Sequence, residues 1–466
     1  MSTLPVAPTA GVRGASRLLD LVGHTPLVEL TRFDTGKCRL FVKLENQNPG
    51  GSIKDRPALS MITAFERDGR LKPGGTLVEA TAGNTGLGLA LVAALKGYRL
   101  ILVIPDKMSR EKVFHLKAMG ADVVMTRSDV GKGHPEYYQD LAAKIASETP
   151  GAVFVNQFGN PANPEAHETT TAPEIWDQMD HDVDAVVCGV GSSGTLTGIN
   201  NFFRRVSAKT EIVLADPAGS ILADVIAGRA PGVAGSWLVE GIGEDFVPPI
   251  ANLEGVRSAY SITDRESFEV ARDLLRKEGI LAGSSSGTLV AAALRYCRDQ
   301  TEPKRVVTLI CDSGNKYLSK MFNDYWMADQ GFIEKPRHGD LRDLISRRHD
   351  EGAAVTVGPD DSLTTAYARM KLYDISQLPV LDGERVVGIL DESDVLFAVL
   401  NDHERFTDPV RSAMTARIET IAVTAPMDEL VPVFDKGHVA IVTDQGRFLG
   451  LITRIDLLNH LRLKVD

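Results

Sequence analysis

Between Leu77 and Ile310 the chain alternates short aliphatic and β-branched runs with longer stretches of helical periodicity. Leu77–Thr81, Arg99–Pro105, Ala121–Met125, Ala185–Cys188, Glu211–Ala215 and Val306–Ile310 read as strands. Most are apolar along their length, which suits strands covered on both faces. From Gly86 to Lys96 the residues Leu87, Leu89, Leu91, Val92 and Leu95 keep helical spacing. That stretch is apolar nearly all round and predicts a buried helix. Strand–helix alternation of this kind implies an α/β fold with a parallel sheet between helices. Ligands then gather beyond the carboxyl ends of the strands.

The chain has 466 residues, room for several domains at roughly 100–200 residues each. Lys and Arg total 51 and Asp and Glu 62, a net charge of −11. An acidic balance argues against nucleic acid or an anionic membrane as partner. Cys38, Cys188, Cys297 and Cys311 lie far apart without a CxxC pair, so neither a disulfide framework nor a zinc ribbon is expected, and no metal site. Cys188 and Cys311 sit in apolar runs and read as buried thiols. The first 20 residues lack a continuous apolar stretch, and no run is long enough to span a membrane. A reducing cytoplasm fits.

The pattern changes after Trp326. A polar stretch at 331–340 reads as a linker, and an internal repeat follows. Leu378–Asp382, Val387–Leu390 and Ser393–Leu396 correspond to Ala440–Asp444, Leu449–Ile452 and Ile455–Leu458. Gly388 and Gly450 are 62 residues apart, as are Asp394 and Asp456. Two strand–turn–strand–helix units suit a paired module with pseudo-two-fold symmetry. The expected division is 1–330, a linker at 331–340, then 341–402 and 403–466.

Four motifs in the first two-thirds carry chemistry. In Asn48-Pro49-Gly50-Gly51-Ser52-Ile53-Lys54-Asp55-Arg56, Ser52 is placed to cap a helix with Lys54 in its first turn. The partial positive charge of a helix start disfavours an ammonium there, and a neutral amine is what a Schiff-base lysine needs. Thr81-Ala82-Gly83-Asn84-Thr85-Gly86 follows a strand and precedes a helix. Its small residues and exposed N–H groups suit a carboxylate or phosphate. Gly189-Val190-Gly191-Ser192-Ser193-Gly194-Thr195 matches GxGxxG, and Asp216 stands 22 residues beyond Gly194. At face value that is a dinucleotide fingerprint, and a hydride-transfer enzyme competes. The hydroxyls of Ser192, Ser193 and Thr195 suit a terminal phosphate monoester better than a passing pyrophosphate. Ala282-Gly283-Ser284-Ser285-Ser286-Gly287-Thr288 reads as a turn before the helix Leu289–Leu294.

In this order, and with Gly23-His24-Thr25-Pro26-Leu27-Val28 and Glu240-Gly241-Ile242-Gly243, the motifs resemble fold-type II pyridoxal-phosphate enzymes of the cysteine synthase/cystathionine β-synthase family. The resemblance covers about residues 15–328. The tail resembles a Bateman module, a tandem pair of CBS domains, and the fusion favours the cystathionine β-synthase side of the family. The resemblance implies pyridoxal 5′-phosphate on Lys54, which also moves the substrate α-proton. It implies Gly191, Ser192, Ser193, Gly194 and Thr195 around the phosphate, Asn84 on the ring hydroxyl and Ser285 at the pyridine nitrogen. Thr81, Ala82, Gly83, Thr85, Gln157 and Gly241 would bind substrate. The implied reaction is β-replacement, joining serine or O-acetylserine to homocysteine to give cystathionine. Cysteine synthesis from O-acetylserine and sulfide is the alternative, and an adenosine-nucleotide sensor with a degenerate enzyme core is a distant one. A homodimer or larger homo-oligomer is also implied.

Some positions depart from the family pattern. Ala82 stands where Ser is usual, Phe158 follows Gln157 as in cysteine synthases, and Glu244 follows Gly243. Only about 20 residues precede Gly23, so no haem-binding extension and no haem are expected. In the tail, Thr453-Arg454-Ile455-Asp456 matches the ribose-binding pattern of Bateman modules, while Asp391-Glu392-Ser393-Asp394 puts an acid in place of the hydroxyl. One competent cleft is expected, with Thr453 and Asp456 contacting the ligand and Val439 to Val442 beside the base. S-adenosylmethionine is favoured there, with an adenine nucleotide second.

Overall fold

A computed structural model of the chain describes residues 17–81, 83–106, 110–131, 133–230, 232–334 and 338–462. Ala82 and the middle of the linker fall outside them. The chain divides into two compact units between Met321 and Phe322.

The first unit contains two sheets. One has six strands: β1 (Leu27–Glu29), β2 (Arg39–Lys43), β7 (Ala185–Gly189), β8 (Glu211–Pro217), β9 (Val256–Ile262) and β10 (Arg305–Leu309). Their order is β1-β2-β10-β7-β8-β9, and all neighbours are parallel except β1 with β2. The other has β3 (Thr76–Glu79), β4 (Arg99–Pro105), β5 (Asp122–Thr126) and β6 (Ala152–Phe154). It is wholly parallel, in the order β5-β4-β3-β6. Every strand expected from the sequence is present. The apolar helix extends over Asn84–Lys96 and is buried along most of its length. Parallel strands buried on both faces explain why these segments read as unbroken apolar runs rather than alternating ones.

Glycines set the closest approaches. A Cβ on Gly88 would sit 2.7 Å from the Lys54 carbonyl oxygen, so the helix Asn84–Lys96 lies directly on the lysine's backbone. A Cβ on Gly287 would sit 2.0 Å from the Ser267 carbonyl oxygen, where the helices Asp264–Glu278 and Ser284–Arg298 meet.

The second unit holds the two repeats. β11 (Gln377–Asp382) pairs with β12 (Arg385–Asp391), and β13 (Thr420–Ala422), β14 (Ala440–Asp444) and β15 (Arg447–Ile452) form a three-stranded sheet. The repeats exchange their leading segments. Leu341, Leu344 and Ile345 pack into the second repeat's core with Leu430, Ala440, Val442 and Ile452. Val410, Ala413 and Met414 pack into the first. The repeated glycines mark the crossings: a Cβ on Gly450 would strike Ile345, and one on Gly388 would strike Met414. Leu381, Val386, Ile441 and Phe448 join the two repeats. No described helix is long and apolar enough to cross a membrane.

Overpacking a close crossing costs about 1–3 kcal/mol or more. Gly287→Ala should therefore lower the thermal midpoint by several degrees, at about 2–4 °C per kcal/mol for a domain of this size. Gly131→Ala, whose Cβ meets nothing within 4 Å, should leave it unchanged in the same calorimetric scan.

Candidate active site

The carboxyl ends of β3, β6, β7 and β10 converge on one cavity. Lys54, Thr81, Gly83, Asn84, Thr85, Gln157, Gly191, Ser192, Ser193, Gly194, Thr195, Gly241 and Ser285 all line it. Segments distant in sequence thus meet at one cavity; Ala82 lies outside the described residues. Thr453 and Asp456 belong to the other unit.

Lys54 differs in detail from the sequence expectation. The helix runs Asp55–Arg67 and Lys54 is its N-cap residue, not part of its first turn. Ser52 does not cap that helix; its hydroxyl accepts the Lys54 N–H at 3.3 Å inside the loop. What holds the amine below the ordinary lysine range is burial, with the neighbouring Cys311 and Asp312 pulling the other way. The neutral amine is favoured, but by desolvation more than by the helix start.

The Gly191–Thr195 loop has the features of an anion cradle. Among the described residues, the backbone N–H groups from Gly191 to Thr195 have no protein acceptor. They open the helix Gly194–Val206, where N–H groups and helix dipole together favour negative charge. A Cβ on Gly191 would lie 2.6 Å from the Gly241 carbonyl oxygen, and one on Gly194 would lie 1.9 Å from Asn163 Oδ1. Ser193 has φ +72°, a left-handed conformation that costs a non-glycine residue and recurs at functional sites. Asn163 Nδ2 donates to Ser192 Oγ at 2.9 Å, which leaves the serine proton free to point into the cavity. Thr195 Oγ1 meets His167 Nε2 at 3.3 Å, and His167 Nδ1 meets Thr171 Oγ1 at 2.9 Å. Burial, with Lys54 and Arg56 nearby, holds His167 well below the usual imidazole range, so it is neutral. This donor set fits a phosphate monoester. Asp216, the acid of the dinucleotide reading, is fully buried and accepts the Ala223 N–H at 2.8 Å. It serves the start of the helix Leu222–Ile226 instead of a ribose.

One carboxylate ties the segments that carry Thr81 and Gln157 together. Glu79 accepts the N–H groups of Ala80 at 2.7 Å and Gln157 at 3.0 Å. Burial pushes its carboxyl up to about 7. Thr85 Oγ1 donates to Gln157 Oε1 at 2.8 Å, and Asn163 Nδ2 donates to the Gln157 carbonyl at 2.8 Å. Phe158 packs on Phe246 with ring centroids 5.7 Å apart. Burial, followed by Asp245 and Asp216, pushes Glu244 up to about 8.

The serine run is the first turn of the helix Ser284–Arg298, not a turn before it. Its three hydroxyls diverge. Ser284 Oγ accepts the Glu240 N–H at 3.0 Å and Ser286 Oγ accepts the Cys311 N–H at 2.9 Å. Ser285 lines the cavity. Cys188 is buried, but Cys311 is only partly so and lines the cavity, because β10 ends at Leu309. Glu79, Asn163 and His167 were not singled out in the sequence. A lone acid ending an apolar strand was the available signal for Glu79; the other two carried none.

In the tail, Asp456 Oδ2 accepts from Thr453 N at 2.7 Å and from Thr453 Oγ1 at 2.5 Å, and Oδ1 accepts from Ser346 Oγ. Asp391 and Asp394 form the matching cap in the first repeat. Ala440, Ile441 and Val442 are core residues and are not open to a cleft; of that run only Val439 is partly exposed. Among the described residues, no group of three or more His, Cys, Asp or Glu could hold a metal.

The model of the pyridoxal-phosphate dependent enzymes matches residues 18–312, and that of the CBS domain matches 342–401 and 410–463. A cystathionine beta-synthase of Dictyostelium discoideum is 36% identical over 460 residues, covering 95% of this chain and 92% of that protein. Cysteine synthase A of Escherichia coli strain K12 is 43% identical over 302 residues, 64% of this chain and 92% of the other. The solved structure of O-ureido-L-serine synthase is similar with a TM-score of 0.61 and 34% identity, covering 67% of this chain and 99% of that one. A match that runs from the cavity loops through the tandem tail shows that this chain belongs to the pyridoxal-phosphate-dependent enzymes, in the cystathionine β-synthase group.

Proposed function

We propose that this protein catalyses β-replacement, joining serine or O-acetylserine to homocysteine to form cystathionine. The observation that carries the reading is a desolvated lysine amine in the same cavity as a loop of unpartnered N–H groups, in a chain similar to cystathionine beta-synthases over 95% of its length. Residues 1–330 are the catalytic region, and 341–402 and 403–466 the two CBS domains beyond the 331–340 linker. A cytoplasmic homodimer is part of the proposal.

Lys54 would hold pyridoxal phosphate, with Gly191, Ser192, Ser193, Gly194 and Thr195 on its phosphate. Asn84 would meet its ring oxygen and Ser285 its ring nitrogen. When bound, that group supplies an electron sink for the substrate α-carbon. Lys54 Nζ, kept neutral by burial, takes the α-proton and later returns it. Thr81, Thr85 and Gln157 would hold the substrate carboxylate, and Ala82, Gly83 and Gly241 would also bind substrate. The neutral Ser285 hydroxyl leaves the ring nitrogen without a proton, which favours loss of a β-substituent over transamination. Lys54→Ala should abolish the visible absorption of covalently held cofactor and lower kcat by about a thousandfold or more. Full activity in that variant would reject the assignment.

Cysteine synthesis from O-acetylserine and sulfide is the second reading. It is favoured by the 43% identity to cysteine synthase A over 302 residues and by Phe158. Acetate leaves unaided, whereas hydroxide from serine needs a proton. Steady-state rates for serine and O-acetylserine, each with homocysteine and with sulfide, distinguish the two. Homocysteine should give the higher kcat/KM, and a value about tenfold or more higher for O-acetylserine with sulfide would establish the second reading.

The tandem tail would bind an adenosyl ligand through Thr453 and Asp456, S-adenosylmethionine before AMP or ATP. Its sulfonium charge tolerates the acidic cleft. Calorimetry with all three should detect S-adenosylmethionine binding that Asp456→Ala and Thr453→Val each weaken. Binding unchanged in both variants would move the site elsewhere.

A further inference from the structure

Asn84 opens the helix Asn84–Lys96 at the cavity wall, and both ends of its amide are engaged by one distant segment. Nδ2 donates to Asp312 Oδ2 at 2.9 Å, and Oδ1 accepts from the ammonium of Lys316. Tyr317 Oη donates to the same Asp312 oxygen at 2.9 Å. Asp312 is fully buried and Lys316 partly so. Lys112 and Lys320 are both committed to Glu240. The cation at the Asn84 carbonyl is therefore Lys316.

A side-chain amide can sit in two orientations 180° apart. Here charge selects one. Reversed, the NH2 group would face an ammonium and the carbonyl a carboxylate, and neither pair could form a hydrogen bond. Asn84 keeps one further Nδ2–H for the cavity and offers it no bonding carbonyl. An N–H whose own carbonyl accepts from a cation is also a stronger donor, because hydrogen bonds in series polarise one another.

We propose that Lys316 is a positioning residue: by holding the Asn84 carbonyl it fixes that amide as a donor and so favours an ionised oxygen on the ring bound in the cavity. This rests on the reading that the cavity holds pyridoxal phosphate. Burial lowers the Lys316 pKa, and its carboxylate neighbours Asp312 and Asp55 oppose that shift only in part.

The test titrates apoprotein with pyridoxal phosphate, without substrate, and reads affinity and the absorption band of the bound cofactor. Wild type should bind saturably with a visible band. Lys316→Met should weaken binding about tenfold, the size of one lost charge-assisted hydrogen bond, and move the band to shorter wavelength. Lys316→Gln, a neutral donor, should fall between them, and it stands in if the Met variant does not fold. Lys316→Arg should recover wild-type affinity to within about threefold and restore the band. Met and Gln variants with wild-type affinity and band position overturn the proposal, as does a band shift that Lys316→Arg fails to reverse. A wild type that takes up no pyridoxal phosphate overturns the cofactor reading itself.

Discussion

The cavity depends on a buried chain of hydrogen bonds that spans both sheets of the first unit. It starts at Glu79 on β3, passes through the Gln157 backbone to Asn163, and ends on Ser192 beyond β7. Gln157 also accepts from Thr85. Each of these residues is less than a tenth exposed. Leaving one such group unsatisfied costs about 1–3 kcal/mol, so the two loops are held in register by the same polar groups that need each other. Glycines at 88, 191 and 194 allow this, since a Cβ at any of them would meet backbone or Asn163 at 2.7 Å or less.

Electrostatically the cavity favours neutral forms. Burial lowers Lys54 and His167 and raises Glu79, Glu244 and Cys311. An anion seated at Gly191–Thr195 would meet backbone dipoles and hydroxyls there, with no arginine in the loop itself. Fixed dipoles need no reorganisation and avoid the desolvation penalty of buried ion pairs. Full charges stand behind the lining: Lys316 and Asp312 hold the Asn84 amide. Arg56 bridges Glu45 and Glu174, and Lys43 meets Glu174, beneath the loop that carries Lys54.

Much of this was legible in the sequence where a constraint is local. Apolar runs gave the strands, and glycine–serine clusters after them gave the loops, because close backbone approach and helix starts restrict residue type within a few positions. Helix starts were less legible. Ser52 resembles a cap, yet the chain turns first and the helix begins at Asp55. The serine run reads as a turn but lies within a helix, since serine suits both a cap and a first turn. Partners across long separations left no local trace: Asn163 with Ser192, and Lys316 with Asn84 across 232 residues. The Val439–Val442 run reads as a cleft wall because an apolar strand does not reveal which face is covered.

The Thr453–Asp456 pair has a consequence for any occupant of the tail. Asp456 is engaged at both oxygens, Oδ2 accepting twice from Thr453 and Oδ1 once from Ser346, which leaves about one of its roughly four lone-pair sites open. A ribose hydroxyl can share Oδ1 with Ser346, and one that instead displaces a donor forfeits roughly 1.5–3 kcal/mol, the range for a hydrogen bond to a charged group, or about one to two decades of affinity. Ser346 adjoins Ile345, which lies in the second repeat's core. An occupant that displaces Ser346 would loosen the tether on the crossing segment, a mechanical signal raised at a single carboxylate.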